Sequence, residues 1–559
     1  MKTRNMRKVL LIVLVLGILA LGGYGGYRGY MSLRQAHLIK QAQHYLTKSD
    51  ARRALLCLER VLRSNPRNVE ASRMMAALME AGRSPGALLW RSRVVEFNPR
   101  SLDDRLALAQ SAMMFRDYMV ATNALEGVDA AGKKTAAYHN IAGAVAAAAN
   151  QRAEAEAHFL EAARLEPTNP VPQLNLAVVR LYSTNEPARA EARTALTRIS
   201  SSTPALRCQA LRELVVDSLR SRQTNAALEL SRDLVQQTNS AFSDRLLRLD
   251  VLKGSQNAEF KPALAAYQRE AGTNTAKIYE LSTWQMTRIG PAETLAWLRS
   301  LPKNTQTNQP VALLAAECHT MLGDWRGLQA SLEQQNWAEL EFVRHAFQTR
   351  ALRGQDLGGA AKAEWEQALK AANGQKASLI MLLRLAAQWN WQSEGEDLLW
   401  IIVNQYPGER WAFGALNQAL FASGRTRPLM MLYSQELKRS PSDLSMKNNL
   451  AMTALLLDAQ ELKPHELARE VYQKVPTNAA YVSTYAYSLH LQKKDAEALK
   501  VIEQLKPQEL QNPSIAGYYG LILKATGNAA KAKTCLELAS KAPLLPEEKK
   551  LFDRAAAGL

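Results

Sequence analysis

The sequence predicts an all-α chain, a solenoid of stacked antiparallel helix pairs preceded by one transmembrane helix. Three observations lead there. Alanine and leucine dominate long stretches, and valine, isoleucine and threonine rarely alternate with polar residues, which favours helix over strand. Prolines recur on a 34-residue clock through both ends of the chain. An apolar run without a charge, residues 9–27, follows a basic tip.

The N-terminal run reads VLLIVLVLGILALGGYGGY, 19 residues from Val9 to Tyr27. As a helix it spans about 28 Å, close to the thickness of a bilayer's hydrocarbon core. Lys2, Arg4, Arg7 and Lys8 crowd its front, and Tyr24, Tyr27 and Tyr30 stand at its far end, where amphipathic rings favour the headgroup layer. The positive-inside rule places residues 1–8 in the cytoplasm and everything beyond the span outside it, with 28–34 as a juxtamembrane linker. A cleaved signal peptide, with Ala20-Leu21-Gly22 as its small-x-small site, is the alternative, and it gives a secreted chain. Both readings export the remainder.

The soluble part carries the clock. Pro66 and Pro99 are 33 residues apart, Pro99 and Pro167 are 68, Pro407 and Pro441 are 34, and Pro476 follows 35 later. Residues between the prolines keep the same time. Ala42 is followed by Tyr45, Ala54, Leu58, Val61 and Pro66 at offsets 3, 12, 16, 19 and 24. Gly143, Ala146, Ala155, Phe159, Ala162 and Pro167 repeat those offsets, as do Leu383, Ala386, Gly395, Leu399, Ile402 and Pro407. Ala486 and Gly520 open two further copies. Each unit reads as two antiparallel helices. Small residues let the helices approach, large ones fill the gap to the next unit, and the proline stops the second helix. Clear units fall at about 35–68, 69–101, 136–169, 376–409, 410–443, 478–511 and 512–545, with weaker ones at 102–135, 170–204 and 444–477. The expected organisation is an N-terminal array at 35–204, a degenerate helical-repeat region at 205–375 and a C-terminal array at 376–559. Leu301–Pro310 reads as a loop.

This pattern resembles the tetratricopeptide repeat family. The resemblance implies a right-handed superhelix in which first helices line a concave groove that holds an extended peptide or a partner helix. A basic, apolar N-terminus followed at once by such repeats is similar to the membrane-anchored bacterial type. That type implies a protein-interaction scaffold in the cell envelope, at the inner membrane, serving assembly, export or quality control.

Composition narrows the other classes. The net charge is +18, of which Lys2, Arg4, Arg7, Lys8, Arg28 and Arg34 supply six, with no acid before Asp50. No long Lys/Arg run and no aromatic-rich basic motif accompanies this excess, so no nucleic-acid partner is expected. It leaves open a rival reading, a solenoid that binds an anionic envelope polysaccharide. Cys57, Cys208, Cys318 and Cys535 lie more than 100 residues apart with no CxxC pair, and each is expected to pack as a small hydrophobe.

Chemistry is sparse. The eight histidines form no HExxH, and Pro464-His465-Glu466-Leu467 lacks the second histidine of such a motif, so no metal is expected. Gly127–Thr135 (GVDAAGKKT) departs from a phosphate loop at Lys134, where a hydroxyl belongs, and no buried strand precedes it. No cofactor and no enzyme activity are expected. An active site hidden in 205–375 is the rival of another class. Glu154, Glu156 and Glu161 read as solvated charges with intrahelical partners. Candidate groove residues are Asn140, Gln418, Asn448 and Asn449, polar amides on first helices that can bond a peptide backbone. Trp389, Trp391, Trp400 and Trp411 cluster within 23 residues, mostly as inter-helix core with one available as an anchor.

Overall fold

The computed structural model describes residues 29–333 and 335–559, and among these every regular element is helical. The expected span at 9–27, with its flanking tip, lies outside the described residues. None of the described helices is long and apolar enough to cross a membrane. The chain forms two compact units, Met1–Trp284 and Gln285–Leu559.

The first unit is a run of helix pairs. Residues 29–47 pack against Ala51–Ser64, Val69–Ala81 against Gly86–Phe97, and Leu102–Met114 against Tyr118–Glu126. Ala136–Ala148 follows with Arg152–Leu165, Pro170–Leu181 with Glu186–Ser202, Arg207–Arg220 with Thr224–Gln236, and Phe242–Gly254 with Phe260–Ala271. In the second unit Pro291–Ser300 precedes the pairs Val311–Leu322/Trp325–Leu332, Glu341–Gly354/Gly358–Ala372 and Lys376–Gln388/Gln392–Gln405. Arg410–Ala422/Thr426–Arg439, Leu444–Leu456/Pro464–Lys474, Ala479–Leu491/Asp495–Ile502 and Pro513–Ala525/Ala529–Ala539 complete it, closed by Pro546–Ala557.

Local chemistry sets the boundaries. After Pro66, Pro99, Pro167, Pro441 and Pro476 the second residue on is Asn68, Ser101, Asn169, Asp443 or Asn478. Each of these side chains caps the next first helix by accepting from a backbone N–H in its first turn. The turn within a pair is equally regular. Ser49, Arg83, Arg116, Asn150, Arg222, Gln256, Gly323, Asp356, Asn390, Gly424, Asp458, Lys493 and Gly527 all have left-handed φ. The residue after each donates its N–H to a carbonyl five residues back, as Asp50 does to Tyr45 and Asn257 to Leu252. This is a helix stop in which one left-handed residue reverses the chain and satisfies the last carbonyls. Its 34-residue spacing runs through 205–375, where the sequence motif fades. The loop expected at Leu301–Pro310 contains a short helix, Lys303–Thr307, because Thr305 and Gln306 both donate backwards to the Pro302 carbonyl.

The motif residues form the core as their sizes require. Ala42, Ala54, Leu58, Val61, Ala155 and Ala162 are fully buried. Gly143 and Gly520 hold the same repeat position, and a Cβ there would press into Phe159 or Leu536 of the second helix. All four cysteines are free, three of them buried. Cys318 is fully buried and packs as a small hydrophobe, and that burial pushes its thiol up to about 12.

Candidate peptide-binding groove

Many successive first helices touch one another, Leu102–Met114 through Arg207–Arg220 in the first unit and Leu444–Leu456 through Pro513–Ala525 in the second. In the first unit polar clasps join neighbouring first helices. Arg73 Nε and Nη2 donate to both carboxylate oxygens of Asp104, at 2.7 and 2.6 Å. Arg212 does the same to Asp244, at 2.7 and 3.1 Å. Asp104 and Asp244 are buried at the N-terminal turns of their helices. Burial pushes the Asp104 carboxyl up, but Arg73, Ser101 and Asn98 outweigh it and hold the group below its ordinary range.

Between these two clasps stands an uncharged one. Asn175 Nδ2, on Pro170–Leu181, donates to Asn140 Oδ1, on Ala136–Ala148, at 2.9 Å. Both side chains are half-buried, Ala137, Ala147 and Val171 beside them are exposed, and Ala144 is half-buried. A primary amide carries two N–H donors and one carbonyl acceptor. The single bond therefore leaves both Asn140 N–H donors, one of the Asn175 donors and the Asn175 carbonyl oxygen for a ligand. The sequence singles out Asn140 but not Asn175, whose place is set by the packing of one pair on the next.

The other three candidates lie in the second unit, in two different settings. Gln418 is exposed on Arg410–Ala422, two helical turns from exposed Trp411, with Gly414 and Ala415 between them. Trp411 Nε1 donates to Glu409 at 2.7 Å, and Glu409 also accepts from Lys376. The remaining tryptophans pack. Trp389 and Trp391 are buried with ring centroids 4.8 Å apart, and Trp400 packs against the core. Asn448 is buried and its Oδ1 has no partner among the described residues, whereas Asn449 is half-buried. Lys447, next to them, is buried and paired with Glu470 at 2.7 Å.

The end of the second unit is closed by its own chain. Phe552 packs edge-on against Tyr518, 5.2 Å between centroids, over the notch left by Gly517. Glu548 accepts from the Tyr518 hydroxyl, and Glu547 accepts from Thr426, 121 residues earlier. The helix Pro513–Ala525 is buried without a break from Ile515 to Leu523. No sequence signal pointed to this closure.

The other motifs are structural. Thr135, at the end of the GVDAAGKKT segment, caps Ala136–Ala148, and the Gly132 N–H is taken by Asp129 at 2.7 Å. Glu161 pairs with Arg164 within its helix and Glu154 lies 4.0 Å from His158, as expected. Glu156 differs: its partner is Arg180 of the next first helix, at 2.7 Å, because the neighbouring pair brings a guanidinium closer than its own helix does. His139 and His158 meet through their Nδ1 atoms at 2.9 Å, and His465 Nδ1 bonds Ser488. Among the described residues no three His, Cys, Asp or Glu side chains are grouped to hold a metal ion. Helix pairs continue through 205–375, and titratable groups meet there at several places, among them Arg245 and Lys277 with Glu270, and His345 with Glu341 and Glu364. At His319, Nε2 accepts from Arg299 at 3.2 Å and Nδ1 donates to Asp324 at 2.8 Å, so both ring nitrogens are engaged.

No protein-family model matches the chain, and no curated protein matches it. Among solved structures it is similar to Naa15/Naa10 bound to HypK-THB, at 13% identity over 94% of this chain and 79% of that one, with a TM-score of 0.30. It is similar to the APC/C hetero-tetramer Cut9-Hcn1 at 13% identity over 93% and 96%, TM-score 0.29. It is also similar to a tetratricopeptide repeat protein from Parabacteroides merdae at 13% identity over 44% and 97%, TM-score 0.25. By its own helix pairs and their 34-residue period, the chain has a tetratricopeptide-like helical-repeat fold.

Proposed function

We propose that this chain is a membrane-anchored scaffold that captures an extended segment of a protein partner on the first-helix face of its first unit. Residues 9–27 anchor it in a bacterial cytoplasmic membrane, residues 1–8 stay in the cytoplasm, and the repeats stand outside, serving envelope assembly, export or quality control. The anchor and its orientation rest on the basic tip and the uncharged run. The binding role rests on the Asn140–Asn175 pair. One peptide unit presents a carbonyl acceptor and an N–H donor, and the pair retains both complements. The small side chains Ala137, Ala144 and Ala147 leave room for a backbone to approach.

The test is photocrosslinking in intact membranes from a reactive residue placed at Ala144. Partner capture is expected to fall about tenfold when Asn140 and Asn175 are both changed to alanine, from the loss of two to three hydrogen bonds. Undiminished capture by the double variant overturns the groove assignment. Protease added to spheroplasts is expected to degrade the repeats, and protection of the repeats overturns the orientation. The net charge of +18 favours a second reading, an anionic envelope polymer as ligand. Capture that collapses between low and physiological salt, with the asparagine variants inert, selects that reading.

A further inference from the structure

In the second unit a cavity of about 590 Å³ lies between Pro291–Ser300 and Val311–Leu322, with the short helix Lys303–Thr307 and the helix Trp325–Leu332 on its sides. Its size is that of a small-ligand site. Leu295, Leu298 and Val311 contribute apolar wall, and the charged groups are Arg299, Lys303 and Glu333. Among the described residues neither Arg299 nor Lys303 forms an ion pair.

The Arg299 guanidinium is held in place. A guanidinium only donates, so His319 Nε2 accepts from it and the imidazole proton sits on Nδ1, where Asp324 receives it. Burial, helped by Arg299 and opposed by Asp324, keeps His319 below its ordinary range, in line with the unprotonated Nε2 that the Arg299 bond requires. Gly327 leaves the space this relay occupies, since a Cβ there would press on both His319 and Asp324. One Nη of Arg299 is used, and the rest of its planar fork is available to the cavity. Such a fork matches the two oxygens of a carboxylate.

We propose that this cavity binds a small monocarboxylate with a short aliphatic body, its carboxylate held by Arg299 and Lys303 and its chain by Leu295, Leu298 and Val311. With Glu333 in the same wall the charged groups leave a net single positive charge, which matches one negative charge better than two. The site lies outside the groove assignment and does not depend on it.

The experiment is calorimetric titration of the full-length protein with hexanoate, with uncharged hexanamide and with the dianion hexyl phosphate. Saturable hexanoate binding is expected, with hexanamide and hexyl phosphate each weaker by about tenfold or more. Arg299→Gln is expected to abolish binding and Lys303→Gln to weaken it several-fold. Lys303 is exposed and holds no other group, so that variant cannot act by unfolding the protein. Ala315→Leu, which fills the cavity without changing a charge, is expected to block it. Equal affinity for hexanamide, full affinity in Lys303→Gln, or no saturable binding of hexanoate up to about 50 mM overturns the proposal.

Discussion

Replacing Asp217 by alanine is expected to loosen the first unit at the joint between Glu186–Ser202 and Arg207–Arg220. Asp217 is 3% exposed on Arg207–Arg220 and accepts from Arg193 Nε at 2.6 Å and from Arg220. Arg193 belongs to the second helix of the preceding pair, and Arg220 also donates to the Leu181 carbonyl of that pair's first helix. One carboxylate thus ties three helices across the interface between two pairs. Removing it leaves Arg220 with the Leu181 carbonyl and Arg193 with the exposed Glu186, and no carboxylate between the two guanidinium groups. Loss of one partner from a buried ion pair costs about 3–5 kcal/mol, and the arginines' partial access to water brings the expectation to about 3. In a repeat array that loss falls on one interface. Hydrogen exchange is expected to speed up about a hundredfold in 170–236 and to stay unchanged in 513–525. Unchanged exchange across 170–236 refutes the role given to this joint. The pH dependence follows from the same group. Burial pushes the Asp217 carboxyl up, Arg193 and Arg220 outweigh it, and the net position is below the ordinary 3.8. A depressed carboxyl contributes stability above its unfolded value and loses it as pH falls through the folded one, so this interface is expected to weaken only below about pH 4.

Phe552→Ala is expected to have an effect as large in the second unit. The ring is 4% exposed in a cluster with Leu455, Tyr487 and Tyr518, each from a different first helix. Truncation leaves a cavity over Gly517 and costs about 3–5 kcal/mol. Release of Pro546–Ala557 is expected as faster hydrogen exchange in 479–491 and 513–525. A melting temperature and exchange pattern unchanged from wild type count against the closure. Glu548, one turn from Phe552, is a weak point in the same contact. Burial, aided by nearby Glu547, drives its carboxyl above the ordinary 4.5, although the Tyr518 hydroxyl and the Leu545 N–H favour the charged form. A raised carboxyl contributes stability in full below its unfolded value and loses it as pH rises through the folded value, so the docked helix tightens on acidification. Glu548→Gln is expected to raise the melting temperature at neutral pH and to remove that pH dependence. A lower melting temperature at neutral pH refutes it.

The repeat was legible because its rules act within one unit. Ala54, Leu58 and Val61 sit at fixed offsets and are buried as those offsets require. The prolines mark helix ends, and the caps two residues beyond them are plain in the sequence once the helix starts are known. The middle looked degenerate because its side chains do not repeat the small-and-large offsets, although it keeps the same left-handed turns, at Arg222, Gln256, Gly323 and Asp356. The short helix at Lys303–Thr307 was missed because its polar residues match a loop composition.

The candidate site was legible only in part. Asn140 could be placed on a first helix by phase, but its bond to Asn175, 35 residues on, could not. Gln418 and Asn448 share the same reasoning, yet one is exposed and the other buried. Sequence alone determined the helix class, the period, the helix stops and which residues fill each pair. All of these follow from contacts within about 34 residues and from backbone geometry. Tertiary structure decided which polar groups meet between pairs, that Glu547 reaches Thr426, and that Arg299 is held open by His319. Those meetings depend on the angle at which each pair stacks on the last, and small rotations at many interfaces add up to placements that no local pattern encodes.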